Sequence, residues 1–274
     1  MIYIDNSATT KQYPQVTETM MKYMEEYFGN PSSMYQLGLD SEKAVKHARK
    51  QVEEAMGAGN GTLIFTSGGT EADNTAIFGT ARALRRRGNR IITSAVEHPA
   101  VLECCKRLEQ DGYDVVYVGV DDKCRLDLER LEDAIDENTI LVSLMQVNNE
   151  AGTIMPVDAV KDLMKKKNAP GWFHCDAVQS FGKLQVPESA DLISVSSHKI
   201  HGPKGAGALF VRKGIHLPAF IEGGGQEHGN RSGTENVPAI TGFGTAAELS
   251  AKDRDEERQR VSVMRRSLLK GLKD

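Results

Sequence analysis

The chain has 274 residues, of which 39% are hydrophobic and 26% are charged, and its formal net charge is −4 at pH 7. Such a length supports one large α/β domain, or two smaller ones, with a substantial core. The charge balance argues against nucleic acid as the main partner. No apolar run approaches the ~20 residues needed to span a bilayer.

The N-terminus and the cysteines indicate the compartment. The first residues, Met1–Asn6, lack the charged and apolar regions of a secretory leader. The four cysteines show neither a metal-binding nor a secreted spacing. We therefore expect a cytoplasmic protein with reduced thiols, no metal site and no membrane association.

Short apolar strands alternate with helices along the chain. Strands are predicted at 2–4, 62–66, 90–94, 115–118, 140–147, 172–175, 191–196 and 208–211. Helices are predicted to begin near Pro14, Ser41, Glu71, Pro99, Leu128, Val157 and Pro238. This alternation indicates βαβ units and a mostly parallel sheet. Because such sheets bind ligands at the carboxyl ends of their strands, the residues that follow each strand are the site candidates.

Lys199 follows the buried strand at 191–196, at the end of a run of two serines and a histidine. Desolvation at such a position lowers the pKa of a lysine and favours the neutral amine that a Schiff base requires. The alternative is a solvated lysine in a surface turn. Lys204 is the competing amine, but its place after Gly202-Pro203 indicates a loop residue.

The other strand ends carry polar groups, each with a structural alternative. Gly69 and Thr70 open a helix where free N–H groups suit a phosphate, or they form an ordinary turn capped by Thr70. His98 stacks on a ring or moves protons, or it caps the following helix. Asn149 hydrogen-bonds a bound ring or closes a turn. Asp176 needs a partner, either a protonated ring nitrogen or a structural arginine.

One cofactor could use all of these groups. A phosphate cradle, a stacking imidazole, amide donors, a carboxylate for a pyridinium and an amine for an aldehyde together match pyridoxal 5′-phosphate (PLP). Asp176 and Lys199 fall at the ends of adjacent predicted strands. The sequence therefore predicts a PLP site.

A series of motifs extends this match from the N-terminus to Thr234. They are Tyr3–Thr10, Gly29–Ser33, Thr66–Asn74, Glu97–Val101, Val147–Glu150, His174–Ser180, Ser196–Gly205, Gly223–Glu227 and Arg231–Thr234. With these motifs the chain resembles the cysteine desulfurase family, in the class V aminotransferase group of fold-type I PLP-dependent enzymes.

The resemblance implies a three-layer αβα fold with a mostly parallel mixed sheet, as in the large domain of aspartate aminotransferase-like PLP-dependent transferases. Residues 1–15 would form an N-terminal segment on the small-domain side, and 16–250 the large PLP-binding domain. Residues 251–274 would begin the helix that leads to a C-terminal small domain, which we do not find in this sequence.

The resemblance also implies roles for individual residues. Lys199 forms the Schiff base and moves protons, Asp176 keeps the pyridinium nitrogen charged, and His98 stacks on the ring and acts as an acid or base. The remaining implied cofactor contacts are Gln179 and Asn149 at the phenolate oxygen, Gly69, Thr70, Ser196 and His198 at the phosphate, and Thr234 at the phosphate of the other subunit of a homodimer.

The implied reaction takes sulfur from L-cysteine, leaving alanine and an enzyme persulfide for iron–sulfur cluster or thio-cofactor synthesis. A sulfur-acceptor or iron–sulfur scaffold protein is the implied partner. Two alternatives remain open: a selenocysteine lyase or aminotransferase of the same group, and a non-catalytic scaffold for sulfur-assembly partners.

Part of the family's machinery has no counterpart in this sequence. The nucleophilic cysteine and the arginine that binds the substrate carboxylate lie well beyond the segment that matches Arg231–Thr234. None of the cysteines, Cys104, Cys105, Cys124 and Cys175, fits the nucleophile's position. We therefore expect this chain alone to be inactive or weakly active. It is a piece of a longer enzyme, a natural half, or a degenerate relative.

Overall fold

In the computed structural model, which describes residues 2–272, strands and helices alternate along most of the chain. The strands are β1 (Gly61–Thr66), β2 (Arg90–Ser94), β3 (Asp114–Val118), β4 (Thr139–Met145), β5 (Trp172–Asp176), β6 (Leu192–Ser196) and β7 (Gly207–Arg212). The helices are α1 (Pro14–Glu25), α2 (Gln36–Met56), α3 (Gly69–Leu84), α4 (Pro99–Gln110), α5 (Leu128–Ala134), α6 (Val160–Lys166) and α7 (Val237–Gly271).

The strands pair into one sheet in the order β1-β7-β6-β5-β4-β2-β3. The pairs among β2, β3, β4, β5 and β6 are parallel, whereas β7 is antiparallel to both of its neighbours. The predicted mostly parallel mixed sheet is therefore confirmed. Its parallel part directs the carboxyl ends of β4, β5 and β6 to one edge, which is where a ligand site is expected.

Helices cover both faces of the sheet. Ile91 of β2 packs in the same apolar cluster as Ile77 of α3, whereas the next residue, Ile92, packs in the cluster that contains Val142 and Phe243 of α7. Successive strand residues point to opposite faces, so each buried strand supplies both clusters. The result is the three-layer αβα arrangement that the resemblance implied.

Three details of the sequence-based prediction are wrong. Residues 2–4 form no strand: Ile2 and Ile4 are 92% and 90% exposed, and no neighbouring strand pairs with them. Helix α2 begins at Gln36 rather than near Ser41, whose hydroxyl donates to the Leu37 carbonyl within the helix. Helix α3 begins at Gly69 with Gly68 at its N-cap, so Thr70 does not cap it.

Helix α7 changes character along its length. Its first half is buried against α1 and α2, with Phe243 and Ala247 fully enclosed. Beyond residue 252 it is largely exposed, including the apolar side chains of Met264 and Leu268. No helix within residues 2–272 combines the length and apolar character needed to cross a membrane.

A buried ion pair fixes the segment before α7 to the core. The two terminal guanidinium nitrogens of Arg49, Nη1 and Nη2, each donate to the Glu227 carboxylate at 2.8 Å. Glu227 also accepts from the Phe65 backbone N–H at 3.0 Å. Glu227 and His228 have φ angles of 49° and 56°, which L-residues rarely adopt. The ion pair therefore holds a strained turn in place.

Replacing Arg49 with Met should lower the free energy of unfolding by about 3 kcal/mol, because it leaves the Glu227 charge buried without its partner. The measurement is urea denaturation at neutral pH. The double variant Arg49→Met/Glu227→Gln should recover most of that loss, since it removes both charges.

The control is Lys46→Met, which removes an exposed pair between Lys46 and Glu42 within α2. It should leave the denaturation midpoint close to that of the wild type. Equal effects of Arg49→Met and Lys46→Met would contradict the stabilising role of the buried pair.

Glu97 connects the ends of two neighbouring strands. Its carboxyl group accepts from the Ser94 hydroxyl at 2.5 Å and from the Met145 backbone N–H at 2.8 Å. Burial is the main reason that the pKa of Glu97 rises to about 8, and the nearby Asp176 adds to the effect. The carboxyl group is therefore mainly protonated at neutral pH in the folded state.

We expect Glu97→Gln to flatten the dependence of stability on pH. The folded state holds the Glu97 proton more tightly than the unfolded state, so this group's contribution to stability is complete below pH 4.5 and is lost as pH rises to about 8. Within that window the unfolding equilibrium constant of the wild type should rise by up to about tenfold per pH unit relative to the variant.

Denaturation across a pH series measures this dependence, with Glu137→Gln as the exposed control. Parallel stability profiles for the wild type and Glu97→Gln would refute the prediction.

Candidate active site

A cavity of about 510 Å³ opens at the carboxyl ends of the parallel strands. The end of β4, the residues after β5 and β6, the start of α3 and the N-terminal segment all contribute to its wall. Every predicted cofactor contact except Thr234 lines it: Gly69, Thr70, His98, Asn149, Asp176, Gln179, Ser196, His198 and Lys199.

The register of the sheet brings the central pair of residues together. Asp176, the last residue of β5, lies opposite Met145 of β4 and Ser194 of β6. Strand β6 ends at Ser196, and the single helical turn Ser197–Lys199 follows at once. Lys199 therefore lies at the same edge of the sheet as Asp176.

Lys199 is half-buried, and the N-terminal segment holds its amine. The amine donates to the carbonyl of Ala8 at 3.0 Å and also to the carbonyl of Ser7. Desolvation lowers the pKa of Lys199, against the opposing effects of the Asp5 and Asp176 carboxylates. Because only the neutral amine is nucleophilic, this shift suits covalent chemistry.

Asp176 is a buried acid in need of a cation. Its carboxylate accepts one hydrogen bond, from the Val178 backbone N–H at 2.9 Å. Burial raises its pKa, while that hydrogen bond and the charges of His98 and Lys199 act in the opposite direction. No lysine or arginine within residues 2–272 forms an ion pair with it. A protonated ring nitrogen in the cavity would supply the missing charge, so the site fits PLP.

The start of α3 fits the phosphate of the same cofactor. A Cβ atom on Gly207 of β7 would lie 2.6 Å from the Gly68 carbonyl carbon, so the loop before α3 rests directly on the sheet. The first N–H groups of a helix lack partners within the helix and attract anions. Gly69 and Thr70 offer such groups to the cavity, beside Ser196 and His198.

The sequence left two interpretations of His98 open, a helix cap and a residue of the ligand site, and the structure is consistent with both. It is the N-cap of α4, where its Nδ1 atom accepts from the Ala100 backbone N–H at 3.1 Å, and it also lines the cavity. Since Nδ1 acts as an acceptor, the neutral ring carries its proton on Nε2. The cap thereby fixes the tautomer of a histidine at the rim of the site.

The amide side chains of the site already have partners. The Gln179 amide donates to the Ser7 carbonyl at 2.9 Å, and the Asn149 amide donates to the Glu150 carboxylate at 2.9 Å. His198 Nδ1 lies 3.1 Å from the Thr9 hydroxyl. Residues 7–9 thus contact Gln179, His198 and Lys199, and the N-terminal segment forms one wall of the cavity.

Thr234 lies apart from this cavity. It is exposed and lines a separate depression of about 160 Å³ together with Ser67, Gly205 and Arg231. Arg231 is held there by the Glu71 carboxylate at 2.9 Å. Within one chain, Thr234 is therefore not part of the cofactor cavity.

None of the four thiols lines the cavity, and His174 does not line it either. Cys104, Cys105 and Cys175 are buried, and burial raises the pKa of Cys104 and Cys105 to about 12. Cys124 lies half-buried in a turn. Burial lowers the pKa of His174 to about 3, so its ring is neutral. Within residues 2–272, no group of three or more His, Cys, Asp or Glu side chains is arranged to hold a metal ion.

The sequence reasoning missed two contributors to the cavity. One is the N-terminal segment, through Asp5, Ser7 and Ala8, which the sequence placed in a family motif but not at the cofactor. The other is Asp73 of α3, which also lines the cavity. It shares one face of its helix with the buried Ala76 and Ile77, and an acid among buried apolar residues was the signal that could have identified it.

Residues 2–274 match the family model of class-V aminotransferases. The cysteine desulfurase IscS of Clostridium botulinum is 44% identical over 99% of this chain and 68% of its own length, and that of Methanosarcina thermophila is 44% identical over 99% and 67%. Among solved structures, a NifS-like protein has a TM-score of 0.95 and 40% identity over 99% of this chain and 75% of its own. SspA in complex with cysteine has a TM-score of 0.84 and 36% identity over 90% and 72%. The chain therefore belongs to the class-V aminotransferases and, within them, to the cysteine desulfurase family.

Proposed function

We propose that this chain forms the cofactor-binding part of a PLP-dependent cysteine desulfurase in which Lys199, Asp176 and His98 carry the chemistry. The observation that supports this proposal is that Lys199 and Asp176, 23 positions apart in the sequence numbering, line one cavity of about 510 Å³. The substrate is L-cysteine, and the products are alanine and sulfur transferred for iron–sulfur cluster or thio-cofactor synthesis.

Lys199 is the residue that would hold the cofactor covalently, and its amine would also move a proton. PLP, when bound, supplies an electron sink that stabilises negative charge at the substrate α-carbon. Desolvation lowers the pKa of Lys199, so its amine would be suited to accept a proton from the substrate α-carbon. To act, the amine must leave the carbonyl groups of Ser7 and Ala8, which hold it here.

Asp176 and His98 are the residues that would contact the ring of a bound PLP. The buried carboxylate of Asp176 holds a positive charge at the ring nitrogen. The His98 imidazole is fixed through Nδ1 by the start of α4, so its face would be available for stacking and its Nε2–H for proton transfer. Gln179 and Asn149 serve the phenolate oxygen, and Gly69, Thr70, Ser196 and His198 serve the phosphate.

We also assign the larger organisation of the enzyme by inference. Residues 16–250 form the large PLP-binding domain, 1–15 lie on the small-domain side, and 251–274 begin the connection to a small domain. The change of α7 from buried to exposed near residue 252 supports that boundary. The unpaired thiols suit a reducing cytoplasm. A sulfur-acceptor or iron–sulfur scaffold protein receives the product.

The active unit is a homodimer in which Thr234 reaches the phosphate in the other subunit. Three observations support it. Thr234 is exposed, and ion pairs of Arg231 and Glu227 fix the segment around it. Large apolar side chains near α2 are also exposed to solvent. Phe28, Met34 and Tyr35 are 69%, 96% and 62% exposed, an apolar surface suited to a second copy.

Lys199→Ala should abolish covalent attachment of PLP. After incubation with PLP and reduction with borohydride, mass spectrometry should find the cofactor on residue 199 of the wild type and on no residue of the variant. Lys204→Ala is the matched control, because Lys204 is the exposed competing amine; it should keep the label on Lys199. Labelling of Lys204 in the wild type would overturn the assignment.

A mixture of two defective variants should recover cofactor sites. Thr234→Glu places a negative charge near the partner's phosphate, and Lys199→Ala removes the covalent link, so neither variant alone retains PLP. In a random mixture of subunits, the hybrid dimers should restore about a quarter of the wild-type sites, because one of their two sites has both residues intact. Retention of PLP by Thr234→Glu alone, or no recovery in the mixture, would argue against a shared site.

A further inference from the structure

Asp73 is a buried acid that faces the cofactor cavity without an assigned role. It lies in the second turn of α3, is 1% exposed and contributes to the cavity wall. Its Oδ1 atom is enclosed and has no hydrogen-bond partner within the described part of the chain. A carboxylate in such a place would carry a large free-energy penalty.

The imidazole next to Asp73 and the hydroxyl groups bonded to that imidazole are neutral. The Asp73 Oδ1 atom lies 3.6 Å from His174 Nε2. His174 is itself bonded to the Ser143 and Ser194 hydroxyls at 2.8 and 2.9 Å. Because burial keeps the His174 ring uncharged, the short distance to Asp73 is not an ion pair.

The titratable groups that face Asp73 add no positive charge. Asp176 and Cys175 belong to β5, Glu97 precedes α4, and Cys104 belongs to α4. Desolvation is the main reason that the pKa of Asp73 lies well above its usual value, and the Asp176 carboxylate adds to the effect. Lys199 and His98 act on Asp176 instead.

We propose that Asp73 is a positioning residue of the cofactor cavity: a permanently neutral carboxyl group that leaves Asp176 as the one carboxylate facing the ring nitrogen. The inference rests on the proposed PLP site. If Asp73 ionised, its charge would raise the pKa of Asp176 and protonate the residue that must stay anionic. As a neutral acid it contributes to the cavity wall and adds no negative charge beside Asp176.

Two measurements test this proposal with Asp73→Asn, which keeps the shape of a neutral acid. The first is infrared spectroscopy of the cofactor-free protein at neutral pH. The variant should lose the carbonyl band of one protonated carboxyl group relative to the wild type. Glu97→Gln calibrates the size of that loss, because Glu97 is also buried and protonated but does not line the cavity.

The second measurement is the equilibrium affinity for PLP. Asp73→Asn should bind PLP within about threefold of the wild type, whereas Asp176→Asn, which removes the charge opposite the ring nitrogen, should weaken binding by about tenfold or more. Asp73→Ser replaces Asp73→Asn if circular dichroism shows that the amide variant does not fold.

Each outcome decides the question. An unchanged carboxyl band in the variant would show that Asp73 is ionised and would overturn the proposal. Loss of the band together with PLP affinity as poor as that of Asp176→Asn would make Asp73 a direct contact rather than a positioning residue, and would also overturn it. If the wild type binds no PLP, the proposed function fails, while the infrared comparison still establishes whether Asp73 is a neutral acid.

Discussion

The active site depends on the register between β5 and β6. Because Asp176 lies opposite Ser194, a buried carboxylate and the turn that carries Lys199 emerge at one edge of the sheet. A shift of one residue would direct the carboxylate to the opposite face. The register is maintained by the buried residues on both faces of these strands, so the chemistry of the site rests on the packing of the whole core.

Burial shifts the pKa values of Lys199 and of the acids near it. Desolvation lowers the pKa of Lys199 and raises those of Asp176, Asp73 and Glu97, which places several acids in a region with little positive charge. A cofactor that brings a cationic ring nitrogen would relieve this imbalance, and the start of α3 offers its phosphate a place away from the acids. Affinity for the cofactor and proton transfer by the lysine thus have one physical origin.

The sequence was sufficient for most of the sheet and for the residues that follow its strands. Apolar runs and strand ends are local features, so the positions of Asp176, His98 and Lys199 could be predicted. Contacts that depend on the backbone could not: the carbonyl groups of Ser7 and Ala8 at the lysine leave no trace in residue type. The apolar run at 2–4 was misleading because strand formation needs a partner, and Ile2 and Ile4 have none.

The contact between Ser7 and Lys199 joins positions 192 residues apart. During synthesis, the first residues leave the ribosome long before β6 exists to receive them. The cavity wall that residues 7 and 8 form can therefore be completed only after residue 199 has been made, so this part of the site depends on a contact of long sequence separation, which is slow to form.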